Sequence, residues 1–168
     1  DDPVIEIALT PDRADCAGIR GIARDLSATG IGTLKPWPYV ETPAAFDSPI
    51  QWVRALGDNG DACPMVVGRA FRTVKNGPSP QWLQDRLRAI GLRPISALVD
   101  ITNYVTFDLG RPLHVFDIDK LSGGALTMRF AESGEKIEAL DGKTYTLDDQ
   151  MTVIGDGDGA QAIAGVMG

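Results

Sequence analysis

The sequence predicts an α+β fold, and three observations carry that reading. Apolar residues recur at helical spacing through the first two-thirds of the chain, short strand-like runs separated by glycine turns fill the last third, and 43% of the 168 residues are apolar. That is enough for one core or two small adjoining ones, with the meandering strands forming a β-rich part.

The elements follow in order. Val4-Ile5-Glu6-Ile7-Ala8-Leu9 alternates with period two up to Thr10-Pro11, which predicts a strand stopped by proline. Cys16, Ile19, Ile22, Ala23 and Leu26 then predict a helix, with Asp15 as N-cap and Gly30 as left-handed stop. Residues 35–49 contain Pro36, Pro38, Pro43 and Pro49, an extended connection and the best internal boundary. Cys63–Val74 reads as a strand broken by Gly68, and Asn76-Gly77-Pro78 as a turn. A second helix is predicted with Ser79 as cap and Pro80 in first position. Trp82, Leu83, Leu87 and Ile90 form its apolar stripe, Gly91 is its stop, and Arg86 and Arg88 point to solvent. Leu98, Ile101, Thr102, Val105 and Leu109 predict a third helix ending at Gly110. Strands are expected over 125–131, 136–140, 144–147 and 152–154, with Asp141-Gly142 as the strongest hairpin signal. Residues 160–168 read as a strand entering a turn, and the chain, lacking an initiator Met, reads as an excised piece.

Composition narrows the function classes. No run approaches the 18 apolar residues of a spanning helix, and the N-terminus lacks the pattern of a signal peptide. Cys16 and Cys63 have no Cys-x-x-Cys spacing, so neither a disulfide framework nor a zinc knuckle is supported; a cytoplasmic location is expected. The net charge of −7 opposes nucleic-acid binding in general. Residues 1–99 are balanced, however, with 11 basic and 11 acidic side chains, and Arg69, Arg72, Lys75, Arg86, Arg88 and Arg93 face a single acid, Asp85. This is either a local basic island or, more simply, a solvated helix face and strand edge.

Few residues offer chemistry by type alone. His114, the only histidine, lies in Arg111-Pro112-Leu113-His114-Val115-Phe116-Asp117 and is the natural candidate for proton handling; a hydrogen-bonded core histidine is the competing reading. Thr102 and Asn103 are polar groups on a helix with apolar neighbours, able to bind a ligand or a neighbouring strand. Gly165 and Gly168 could let backbone approach a substrate or simply permit tight sheet packing. Asp156-Gly157-Asp158-Gly159 resembles half of a calcium loop but has Met167 where the twelfth-position Glu belongs, which favours a tight turn and no metal.

Several segments together resemble a known family. Thr10-Pro11-Asp12-Arg13-Ala14-Asp15-Cys16 with Arg20–Leu26, Gly77-Pro78-Ser79-Pro80 with Trp82-Leu83, and Arg93-Pro94-Ile95 with Val99–Val105 are similar, in order and spacing, to the B3/B4 region of bacterial phenylalanine–tRNA ligase β subunits. Gly110–His114 with Phe116-Asp117, and Ala164–Gly168, continue the match. Arg111 stands where the family commonly has Gln and Val115 where it has Ala. The resemblance implies a three-layer domain over residues 1–168, with helices packed on mixed or antiparallel sheets and truncated at its C-terminal end.

The resemblance also implies an (αβ)2 ligase whose α subunit uses ATP, Mg2+ and phenylalanine to charge tRNA(Phe), with no cofactor in this piece and no membrane partner. This region would hold an editing site that hydrolyses mischarged tyrosyl-tRNA(Phe). An apolar pocket rejects an added hydroxyl by only about 100-fold, so a second sieve improves fidelity. On this resemblance His114 is the editing histidine, Arg93, Thr102 and Asn103 line its pocket, and Gly165 and Gly168 form its glycine wall. The family's acidic residue for the tyrosine hydroxyl falls beyond Gly168, so the piece alone is expected to be incomplete for editing and inactive in charging. The alternative is a non-catalytic module of the same fold that positions tRNA or a subunit.

Overall fold

Helical spacing and strand alternation sort into different parts of the chain. The computed structural model describes residues 3–165. One unit is built from Asp1–Thr42 with Val74–Val115, and a second from Pro43–Thr73 with Phe116–Gly168. Among the described residues the α-helices belong to the first unit and the β-strands to the second, an α+β fold.

In the first unit α1 (Ile19–Ala28) and α2 (Gln81–Ala89) both pack against α3 (Ala97–Leu109). Leu83 and Leu87 supply the buried face of α2, while Trp82 and Ile90 at the edges of the predicted stripe remain exposed. Gly110 closes α3 in the left-handed conformation at φ 67°, donating its N–H to Thr106. The two predicted N-caps differ. Asp15 lies in a 3-10 turn over Ala14–Cys16 and α1 starts after Gly18, because the carboxylate of Asp15 is held by Arg13 and Arg24 instead of helix N–H groups. Ser79 likewise caps no helix: α2 starts at Gln81, and the Ser79 hydroxyl donates to Asp100.

The second unit contains a mixed sheet in the order β1 (Gln51–Ala55), β2 (Ala125–Phe130), β5 (Thr152–Gly155), β6 (Ala160–Ile163), plus a hairpin of β3 (Lys136–Glu138) and β4 (Thr144–Thr146). β1 runs parallel to β2, with Gln51 opposite Ala125; the other pairings are antiparallel. Alternation along β2 sends Leu126 and Met128 into a cluster with Ile50, and Val153 of β5 joins Ala131, Ile137 and Leu147 in another. The Asp141-Gly142 hairpin forms, with Gly142 at φ 76° and its N–H on the Ala139 carbonyl.

Two expected strands are not formed. Residues 4–9 pair with no strand, and Val4, Ile5, Ile7 and Leu9 stay exposed: alternation describes a strand only where a sheet lies beside it. Cys63–Val74 is irregular, and the strand is β1 instead. Gly68 lies so close under the Trp52 ring that a Cβ there would come within 1.9 Å of it, and the Arg54 guanidinium donates to the carbonyls of Cys63 (2.7 Å) and Gly60 (3.1 Å). Side-chain contacts, and no ladder, hold this segment to β1.

Glu135 ties the second unit together. Its carboxylate accepts from both terminal nitrogens of Arg129 at 2.8 and 2.6 Å, from the Glu132 N–H and from the Ala160 N–H at the start of β6, both 2.9 Å. The side chains of Arg129 and Glu135 are 24% and 14% exposed. The Arg129 hydrogen bonds foremost hold the Glu135 carboxyl at about 2, against an ordinary 4.5. A lowered native pKa stabilises the fold above pH 4.5, and this contribution fades as pH falls toward 2. Urea unfolding of Glu135→Gln should therefore show a loss of roughly 3 kcal/mol at pH 7 that shrinks below pH 4.5 and disappears only below about pH 2. In the first unit, a Cβ on Gly21 would lie 2.0 Å from the Asp15 carbonyl oxygen. Gly21→Ala should destabilise by about 1–3 kcal/mol in the same assay, overriding the gain of up to about 1 kcal/mol in helix propensity.

Candidate functional site

Four of the sequence-predicted site residues lie in the first unit, around α3. Thr102 and Asn103 are adjacent on its second turn and half-buried. Thr102 donates its hydroxyl to the Val99 carbonyl at 2.8 Å, which leaves its lone pairs to accept, while the amide of Asn103 makes no hydrogen bond among the described residues. Arg93 lies on the exposed connection before α3 and forms no ion pair among the described residues, so its guanidinium is open to an anion. His114 follows the helix, four residues after the Gly110 cap.

The chain places these groups by two local devices. Before α3, the Asp100 carboxylate accepts the Ile95 N–H at 2.8 Å and so folds the 93–96 segment onto the helix start. Asn76 and Gly77 complete that start, accepting the N–H groups of Leu98 (3.2 Å) and Ala97 (2.7 Å). After α3, the left-handed Gly110 turns the chain into 111–115, whose residues are exposed. His114 is thus on the surface and not enclosed in a core, and the partial desolvation it does experience pushes its imidazole below its ordinary pKa. A neutral ring at pH 7 has one nitrogen able to accept a proton and one able to donate.

Gly165 belongs to the second unit. Its φ of 74° is what requires glycine there; a Cβ would meet nothing within 4 Å. Gly168 lies outside the described residues. The basic island is divided as well. Arg69 and Arg72 fall in the second unit, where Arg72 lies 3.9 Å over the Phe46 ring; Lys75, Arg86, Arg88 and Arg93 fall in the first. Arg88 is partly neutralised by Asp85 at 3.2 Å, whereas Arg86 lies beside Trp82 and donates to the Tyr104 hydroxyl at 3.3 Å.

Other polar clusters are internally satisfied. The carboxylates of Asp15 and Asp25 flank the Cys16 thiol closely enough to suggest a metal set, but Arg13 and Arg24 bind both of them, and burial pushes the thiol up. Asp156-Gly157-Asp158-Gly159 forms the turn between β5 and β6. Asp156 accepts N–H groups of Ser122 and Asp158, and Asp158 accepts the Ser122 hydroxyl. This turn borders an open cleft of about 580 Å3 whose other wall is Arg129 and residues 132–135. Among the described residues no helix is long and apolar enough to cross a membrane.

The sequence profile of the B3/4 domain family matches residues 62–168. The chain belongs to the B3/4 domain family. Its B3/4 sequence is 60% identical over 167 residues to the phenylalanine–tRNA ligase β subunit of Ruegeria pomeroyi, covering 99% of this chain and 21% of that protein. The β subunits of Paramagnetospirillum magneticum and Gluconobacter oxydans are 56% and 55% identical over 168 residues, covering 99% and 100% of this chain and 21% and 20% of theirs. The B3/4 chain thus spans about a fifth of the length of these relatives.

Sequence reasoning missed Asp100, the buried carboxylate in the first turn of α3 that accepts the Ile95 N–H. The available signal was an acid between apolar Val99 and Ile101 on a predicted helix. The His114 environment is directly measurable. As the only histidine it gives a single pair of ring signals, and an NMR titration should place its midpoint below about 6.5.

Proposed function

We propose that this chain is the tRNA-editing part of a phenylalanine–tRNA ligase β subunit, hydrolysing mischarged tyrosyl-tRNA(Phe). Identity of 55–60% across essentially the whole chain to three such β subunits carries the reading. In the complete enzyme an α subunit would charge tRNA(Phe) with ATP and Mg2+, within an (αβ)2 assembly in the cytoplasm. Residues 1–168 would form one editing region whose remaining pocket residues lie elsewhere in the longer protein.

The chemistry proposed is attack of water on the aminoacyl ester. His114, with its lowered pKa and exposed ring, orients the water or terminal ribose and can take up a proton near neutral pH. Arg93, free of carboxylate partners among the described residues, offers a guanidinium to the phosphate or ribose end of the substrate. Thr102 can accept and Asn103 can both donate and accept, which suits a polar substrate group that must be satisfied on entering.

A second reading, a module that positions tRNA or a subunit without deacylating, is favoured by one surface. Trp82 is 54% exposed, meets Tyr104 edge-on at 5.6 Å, and has Arg86 beside it. Aromatic rings with an arginine are common anchors for RNA bases and for protein partners. Single-turnover deacylation of tyrosyl-tRNA(Phe) by the complete enzyme separates the readings. His114→Ala should slow tyrosine release by roughly 100-fold with normal phenylalanine charging. Unchanged release would remove the editing assignment and leave the positioning module.

A further inference from the structure

Asp100 is the most enclosed charged side chain in the first unit, 1% exposed, and no cation neutralises it among the described residues. Its two oxygens do separate work. Oδ2 accepts the hydroxyl of Ser79, itself buried, at the entry to α2, and Oδ1 accepts the Ile95 N–H at 2.8 Å. Burying a carboxylate costs several kcal/mol unless strong donors satisfy it. An apolar residue would fill the same space without that cost, so the acid at this position needs a reason. The Ile95 bond supplies one. It fixes the extended segment that carries Arg93, two residues earlier, to the helix that carries Thr102 and Asn103, two and three residues later. Asp100 donates its own N–H to the Ser96 carbonyl at 2.8 Å, which closes the same short loop from the other side.

We propose that Asp100 is a positioning residue for substrate binding, acting through Arg93. This rests on the editing reading above. The carboxylate touches no substrate; it holds the 93–96 segment in one conformation, so that the guanidinium of Arg93 meets its anion without a prior search among loop conformers. A site whose geometry is fixed before binding loses less affinity to ordering, and a displacement of about 1 Å can cost on the order of 100-fold.

The test is a double-mutant cycle in the complete ligase, read as the half-saturating concentration of enzyme for single-turnover deacylation of tyrosyl-tRNA(Phe). Arg93→Ala and Asp100→Ala should each raise it by roughly 10- to 100-fold, and the double variant should be no worse than Arg93→Ala alone. Asp100→Asn should restore wild-type binding, because its amide oxygen can accept Ile95 while its NH2 donates to Ser79. Additive losses, or a loss in Asp100→Asn equal to that in Asp100→Ala, would overturn the proposal and leave Asp100 a stability residue. If Asp100→Ala does not fold, Ile95→Pro, which removes the N–H that Oδ1 accepts while leaving Asp100 and Ser79 in place, takes its place in the cycle with the same expected outcome. If Arg93→Ala and His114→Ala both deacylate normally, the editing reading itself fails. If those two variants are impaired and Asp100→Ala and Ile95→Pro are not, only the positioning role fails.

Discussion

The first unit depends on how a buried carboxylate is satisfied. Asp100 lies in the first turn of α3, where the helix dipole favours negative charge, and it recruits one donor from the entry to α2 and one from the connection between the helices. Neither partner is a cation, so the directional hydrogen bonds of the carboxylate, and not Coulomb attraction alone, set the frame. The consequence is geometric. The start of α2, the 93–96 segment and α3 share one fixed point, and every polar group later on α3 inherits its register from it.

In the second unit Glu135 has the corresponding task by another route. It is more exposed than Asp100 and works with an arginine, and its four acceptor contacts link β2, the turn before β3 and the start of β6. A sheet with one parallel pair needs a long crossover, and here the connection between β1 and β2 contains the whole of Val74–Val115. The second half of the helical unit is therefore inserted within a sheet connection.

Much of this was legible in the sequence, and the limits have physical causes. α2 and α3 were readable because their apolar spacing, proline start and glycine stops agree with one another, and the Asp141-Gly142 hairpin because few residue pairs other than Asn-Gly and Asp-Gly suit its turn. The strand at 63–74 failed for a contact reason. β-branched composition cannot reveal that Trp52 lies against Gly68, a relation between residues sixteen apart. The caps failed for a similar reason, since Asp15 and Ser79 are good cap residues whose acceptor or donor was claimed by a stronger distant partner. At the candidate site, the residue type of His114 and the polar pair Thr102-Asn103 were visible. The carboxylate that ties the 93–96 segment to the start of α3 was not, because burial and a backbone partner leave no mark on local pattern.

Both units are discontinuous in sequence, and this bears on how the chain emerges from the ribosome. Once residue 73 has been made, neither unit has its second segment: α1 has no α3 to pack against, and β1 has no β2 beside it. The helical unit can close once residue 115 is available, while the sheet must wait for Phe116 onward, with β1 and its flanking apolar residues unpaired in the interval. Synthesis order thus lets the helical unit close first and leaves the lone strand as the segment most in need of protection from intermolecular pairing until the segment from Phe116 onward has been made.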